Sequence, residues 1–375
     1  MRQGNVVNSG RKSSRRDFLQ GKAAIDALGD LVDGSADDGM PPPRAARATG
    51  SEGRSARRLL FEVGRKAMAC QFQVFTPSSD DPAVIEAALA ALDCVDAWED
   101  RLSVYREQSE ISRINRGAAV AACGIDAETF ALLQRCIAYW QSTRGAFDIT
   151  AAPLVRAWGF HIRKGRFPSD EELRGALERV GSQHVVLNSE QHTVRFTRAG
   201  MELNLGSIGK GFALDRCADV LDSAGVTDYM IHGGHSSIVA RGRRCAATAD
   251  WWVRLRNPRR GDQVLAELRL RDQALGTSGS GRQFFYHHGR RYGHVIDPRS
   301  GHPAEGVLSA TVIGPSAEQA DALATAFFVL GIQATRDYCR AHPELAVVFV
   351  CPGERRGSVS LELIQLADHE IHNST

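Results

Sequence analysis

Apolar and polar positions change period several times along the chain, and each change marks an element. From Arg57, RRLLFEVGRKAMACQFQVF carries two strand-like runs on either side of Met68-Ala69-Cys70. DPAVIEAALAALDCVDAWEDRLSVY then switches to helical spacing. Ile85, Leu89, Leu92, Val95 and Leu102 share one face, and Pro82 suits the first turn. Residues 103–115, SVYREQSEISRIN, read as a polar loop, either a solvated connection or the wall of a polar ligand pocket. A second helix is expected behind Asp126 as N-cap, using Phe130, Leu133, Ile137 and Trp140, with Gly145 closing it in the left-handed region. Asp148, between Phe147 and Ile149, is then a buried carboxylate that braces a turn or lines a site.

HVVLNSEQHTVRFTR predicts a hairpin. MELNLGSIGKGFALDRCADVLDSAG predicts a strand, a glycine-rich turn and a helix. Gly206, Gly209 and Gly211 permit close backbone approach there, and a helix N-terminus with Lys210 beside it suits an anion. A tight αβ connection explains the same glycines, and the spacing is neither a Walker loop nor a dinucleotide fingerprint. DYMIHGGHSSIVARG gives a buried strand ending at Gly233-Gly234. WWVRLRNP and VLAELRLRDQALGTSG give further strands, the last running into a hydroxyl-rich turn at Thr277-Ser278-Gly279. His287 and His288 precede a hairpin turn at Gly289 and are expected in solvent. Ser316 and Gln319 have the spacing of a capping box, which starts a helix near Ala317.

Composition narrows the classes. With 46 basic and 44 acidic residues the net charge is +2, so no bulk electrostatic case for nucleic acid exists. No apolar run reaches the roughly 18 residues of a transmembrane helix. The eight cysteines have no C-x-x-C spacing, which leaves buried thiols rather than zinc or redox chemistry. Residues 1 to about 55 are rich in Gly, Ser, Arg, Asp and Pro and predict a disordered leader, with the folded domain spanning 56–375. Within the leader, SRRDFLQG resembles a twin-arginine export signal, followed by a segment that charged residues interrupt. The protein is accordingly expected in the periplasm if the signal works and in the cytoplasm if it is a vestigial tail.

Two places carry chemistry. Asp321 and Thr325 are four apart on the predicted helix and share a face. A carboxylate plus a hydroxyl suits Mg²⁺ held by few protein ligands; an Asp–Thr hydrogen bond in a packing seam is the alternative, and spacing alone favours it. His294, in YGHVIDPRSG, is a candidate general base, a structural hydrogen-bonder or an exposed side chain.

Taken in order, SVYREQSEISRIN, GAFDIT…PL…WGF, NLGSIGKGFALD, TSG…YGHVIDPRSGHP and ADALATAFFVLG resemble the FAD:protein FMN transferases, the ApbE-like flavin transferases. The resemblance runs from about Phe61 to Val350. It implies an α+β fold with mixed or antiparallel sheets packed with helices. It implies an enzyme that uses Mg²⁺ to cleave FAD, places FMN in phosphoester linkage on a threonine or serine of a target protein, and releases AMP. Targets of such enzymes are typically membrane redox subunits with a D-x-x-[ST]-G-A-[TS]-like sequence. By this resemblance Asp321 and Thr325, with a backbone carbonyl near Ser207, hold the metal, and His294 activates the acceptor hydroxyl. Gly206, Lys210 and Asp215 match the flavin loop. Ser103, Glu110 and Asn115 match the polar loop near the nucleotide, and Thr277, Ser278 and Gly279 match the segment facing the diphosphate. Three positions depart from the pattern: Asn204 and His235 stand where Asp is usual, and Ala69-Cys70 replaces Gly-Thr. A Mg²⁺-dependent FAD hydrolase and a non-catalytic flavin carrier are the competing expectations.

Overall fold

The computed structural model describes residues 60–77, 81–244, 250–281, 283–355 and 357–373. The leader, its paired arginines and Cys245 lie outside the described residues. In chain order the elements begin β1 (Leu60–Ala67), β2 (Cys70–Pro77), α1 (Pro82–Leu102), α2 (Glu110–Gly117), β3 (Cys123–Gly124) and α3 (Ala127–Ser142). There follow α4 (Ala152–Ala157), α5 (Asp170–Leu177), β4 (Val185–Asn188), β5 (Thr193–Phe196), α6 (Gly209–Ser223), β6 (Tyr229–Gly233) and β7 (Ser237–Arg241). Strands β8 (Trp251–Asn257), β9 (Arg260–Leu270), β10 (Gln273–Gly279), β11 (Phe284–His287), β12 (Arg290–Gly293) and β13 (Ser309–Gly314) lead to α7 (Ala317–Arg340). The chain closes with β14 (Ala346–Pro352), β15 (Val359–Ile364) and β16 (Ile371–Asn373).

Eight strands form the main sheet in the order β1-β2-β6-β7-β10-β13-β14-β15, and each neighbouring pair is antiparallel. The architecture is therefore α+β. Strand β14 shows why the central strands are apolar throughout. Val347 and Phe349 join the core with Phe212, Leu323 and Phe327 of α6 and α7. Val348 and Val350 face the other way, toward Trp251 and Leu268 of the small β16-β9-β8 sheet. A sheet covered on both faces loses the polar alternation of a half-solvated one.

Local signals place the elements that hold the site. Met68 and Ala69 both have positive φ, 48° and 58°, the geometry of a two-residue turn between β1 and β2. Asp81 and Asp126 cap α1 and α3 through their side chains. Ser316 caps α7 by accepting from the Gln319 N–H at 3.2 Å. Asp148 is buried and accepts from the N–H and hydroxyl groups of both Thr150 and Ser182, so it braces a turn.

Four expectations are corrected. Residues 103–115 are not one loop: from Glu110 they form α2, capped by Ser109, with Ile111 and Ile114 buried three apart. Residues 201–205 alternate like a strand and bury Met201, Leu203 and Leu205, yet they pair with no strand. Leu203 bonds instead to Asn115, whose amide donates to its carbonyl at 3.0 Å and accepts from its N–H at 2.7 Å, and the Asn204 N–H donates to the Ile149 carbonyl at 2.7 Å. Thr277, Ser278 and Gly279 are not a turn but the end of β10, opposite Thr311, Ala310 and Ser309. His287 is not wholly solvated, since its ring stacks on Phe167 at 4.7 Å.

One buried histidine fixes an acid limit to the fold. His232 on β6 is 5 % exposed, its Nδ1 has no hydrogen-bond partner, and its ring lies 4.4 Å from that of His235. Burial and the neighbouring imidazole push its pKa down to about 4 from an ordinary 6.5. A depressed histidine pKa means the folded state resists a proton the unfolded chain accepts. The contribution is intact above pH 6.5 and is lost as pH falls toward 4, by roughly 3 kcal/mol at most. Urea midpoints at pH 7 and pH 4 should diverge more in the wild type than in His232→Phe.

Candidate active site

Three segments meet at Asp321. The carboxylate is buried in the first turns of α7. Its oxygens accept from the Ser237 hydroxyl of β7 at 2.7 and 2.9 Å and from the Gly211 N–H of α6 at 2.8 Å. Lys210 Nζ stands 3.5 Å away. Burial raises the Asp321 pKa, although Lys210, Ser237 and Gly211 all oppose the shift.

Two glycines make the convergence possible. A Cβ on Gly211 would fall inside contact distance of the Ala317 carbonyl, and one on Gly276 of β10 would strike the Ala320 carbonyl and the Asp321 N–H group. Without side chains, α6 and β10 press directly on the backbone of α7. Gly211→Ala is expected to cost about 1–3 kcal/mol through overpacking and to break the hydrogen bond to Asp321. Gly261→Ala is the control, because a Cβ there meets nothing within 4 Å; thermal melts of the two variants check this.

Asp215, one α6 turn beyond Gly211, accepts from the Ala317 and Glu318 N–H groups at 2.9 Å each, so its carboxylate caps the start of α7. Burial pushes its pKa up to about 6. Glu318 in turn holds Arg135 of α3 in a two-pronged ion pair at 2.7 and 2.8 Å. The start of α7 is thus held by α3 and α6, which fixes Asp321 within the core.

The glycine-rich turn before α6 is shaped by Asn204, whose side-chain oxygen accepts from the Gly206 N–H at 2.8 Å. An amide oxygen fills that role as a carboxylate would. Ser207 follows in the same turn, half-buried. His235 occupies the left-handed region with φ 60° in the β6–β7 turn.

Thr325 lies one turn along α7 from Asp321, and its hydroxyl donates to the Asp321 carbonyl at 3.3 Å. That leaves its oxygen lone pairs free. A buried carboxylate with a single lysine at 3.5 Å, next to a hydroxyl, is a donor set that fits a hard cation. Among the described residues no group of three or more His, Cys, Asp or Glu forms a metal cage. A Mg²⁺ ion here would draw its other ligands from phosphate and water, as such ions commonly do.

The remaining candidates fall into three places. Thr277 bonds through its hydroxyl to Thr311 at 2.9 Å and through its N–H to the Ser236 carbonyl at 2.7 Å. Ser278 and Gly279 follow on the same strand. Ser103 ends α1, and Glu110 and Asn115 sit on α2. Asn115 is committed to residue 203, whereas Glu110 accepts from the Asp126 N–H with Oε1 and leaves Oε2 buried without a partner. His294 lies just after β12. Its Nδ1 meets the Gln283 carbonyl at 3.2 Å, and burial lowers its pKa. With Nδ1–H donating, Nε2 is the basic nitrogen. Among the described residues no hydrogen bond joins His294 to the Asp321 cluster.

The sequence reading missed Ser237. A serine at the start of a strand carries no distinguishing signal; only the pairing of β7 in the main sheet brings it to Asp321.

Residues 68–349 match the family model described as the ApbE family. The chain belongs to the ApbE family. It is 30 % identical over 302 residues to the FAD:protein FMN transferase of Treponema pallidum, covering 76 % of this chain and 82 % of that one. It is 33 % identical over 237 residues to the FAD:protein FMN transferase of Vibrio cholerae, covering 62 % and 70 %. Among solved structures, the ApbE protein of Thermotoga maritima superposes with a TM-score of 0.73 at 28 % identity, covering 82 % of this chain and 97 % of that one. The flavin transferase ApbE from Vibrio cholerae gives 0.70 at 26 %, covering 82 % and 98 %.

Proposed function

We propose that this member of the ApbE family is a Mg²⁺-dependent FAD:protein FMN transferase. It cleaves FAD, forms a phosphoester between FMN and a serine or threonine of a target protein, and releases AMP. The observation that carries the reading is the convergence of Lys210, Gly211 and Ser237 on the buried carboxylate of Asp321, with the Thr325 hydroxyl one helical turn along. Asp321 and Thr325, with a carbonyl near Ser207, would hold the ion, which when bound neutralises charge on the diphosphate.

The chain's own groups supply the rest. Lys210 adds positive charge beside the same carboxylate. The strand end Thr277–Gly279 borders the diphosphate with the hydroxyls of Thr277 and Ser278. Ser103 and Glu110 border the nucleotide, while Asn115, Gly206 and Asp215 fix the segments around it. His294, neutral at physiological pH, takes the proton of the acceptor hydroxyl through Nε2. The acceptor is a protein with a D-x-x-[ST]-G-A-[TS]-like segment, typical of membrane redox subunits. The twin-arginine-like leader would place the reaction in the periplasm. No helix among the described residues is long and apolar enough to cross a membrane.

The test is a mass spectrum after incubation with FAD, Mg²⁺ and an acceptor domain. The expected result is an acceptor heavier by FMN together with free AMP. AMP with free FMN and an unmodified acceptor identifies a hydrolase, and intact bound FAD a carrier.

A further inference from the structure

The β11–β12 hairpin has two unlike faces. Directly opposed residues of an antiparallel pair share a face. Phe285 pairs with Tyr292, and Tyr286 with Arg291. The first face is spent inward, where Phe285 and Tyr292 lie against each other and against Trp158. The second is turned out: Phe284 is 40 % and Tyr286 67 % exposed.

Arg291 lies on this outer face. Its guanidinium sits 4.0 Å over the Phe284 ring and donates to the Ser280 carbonyl. No carboxylate pairs with it among the described residues. Arg259 is in the same condition: among the described residues its guanidinium reaches the Ser358 carbonyl at 3.4 Å and no carboxylate. Arg259 also stands close enough to lower the Arg291 pKa further, beyond the effect of burial. The β8–β9 turn that carries Arg259 touches the base of the hairpin, where the Pro258 carbonyl lies against Gly281.

Two exposed rings around a partly buried guanidinium that has no carboxylate partner among the described residues have the composition of an interface anchor. The excess positive charge specifies a partner that brings a carboxylate. The hairpin adjoins candidate residues in the chain. Ser280, which packs on Gly293, directly follows the Thr277–Gly279 strand end, and His294 is the next residue after Gly293.

We propose that the outer face of the β11–β12 hairpin docks the protein that receives the flavin, and that Arg291 pairs there with a carboxylate of the acceptor segment. This rests on the transferase reading above, so the test separates docking from chemistry. A dye-labelled peptide carrying the D-x-x-[ST]-G-A-[TS] pattern is titrated with the full chain, and anisotropy reads binding. Arg291→Glu is expected to weaken binding at least tenfold, and a peptide with lysine in place of its aspartate to regain most of the loss. FAD affinity, read by flavin fluorescence, is expected to stay at the wild-type value.

Tyr286→Ser, at an exposed position, is expected to weaken the peptide several-fold with an unchanged melting temperature. It keeps the proposal testable if Arg291→Glu does not fold. Undiminished peptide affinity in these variants, or no binding by the wild type, overturns the proposal. So does a loss of FAD affinity in Arg291→Glu, which would make the guanidinium a phosphate contact. Arg291-dependent peptide binding without any FMN transfer supports the docking surface and overturns the transferase reading instead.

Discussion

Asp321→Asn is expected to lower FMN transfer by about 10²–10³-fold or more while leaving the fold at least as stable as before. The two effects part because of where the carboxylate sits. It is buried, and desolvation raises its pKa against the pull of Lys210 and two hydrogen-bond donors. The fold therefore bears the cost of an anion that a neutral amide of the same shape would remove. Asparagine with its oxygen at the Oδ2 position still accepts from the Gly211 N–H, and its NH2 can donate to the Ser237 hydroxyl, so the charge is lost while both partners stay paired. Melting temperature with and without Mg²⁺ gives a second readout. The wild type should be stabilised by millimolar Mg²⁺ through binding to the native state, and Asp321→Asn should not. Wild-type transfer in the variant, or an undiminished Mg²⁺ shift, would exclude Asp321 as the metal carboxylate. Asp321→Ala should lose activity equally but also leave the Ser237 hydroxyl and Gly211 N–H unpaired, and so lower the melting temperature.

What could be read from the sequence followed from how local each signal is. The Ser316 cap and the four-residue spacing of Asp321 and Thr325 lie within one helix, so their register needed no tertiary knowledge. Gly211 was legible as a site of close approach, but what approaches is α7, more than 100 positions away in the chain. Ser237 was invisible for the same reason, since it reaches Asp321 only through sheet pairing. The misread elements also have a common cause. MELNL alternates like a strand, and burial of Met201, Leu203 and Leu205 honours that alternation, but a side-chain amide and the Ile149 carbonyl supply backbone partners. Thr277-Ser278-Gly279 has turn composition, and β13 across from it made it a strand. The helix at residues 110–117 was hidden by its polar surroundings, because Ile111 and Ile114 alone anchor it among charged neighbours.

His294→Gln is expected to reduce transfer by about 10²–10⁴-fold, the usual contribution of a general base, with little change in FAD affinity. The structure gives the reason in one contact. Nδ1 is held against the Gln283 carbonyl, which fixes the tautomer that leaves Nε2 basic. Burial lowers the pKa below the ordinary 6.5, so the ring is neutral and ready to accept a proton at pH 7. The sign follows directly. Transfer should hold level above pH 6.5 and fall as acid protonates the ring, with a midpoint below that of a free histidine. In His294→Gln the residual rate should lose that acidic limb. Single-turnover measurement between pH 5 and 8 separates this from a binding effect, because saturating FAD removes any contribution of affinity. An acidic limb that persists unchanged in the variant would assign it to another group and leave His294 a structural partner of Gln283 and Phe160.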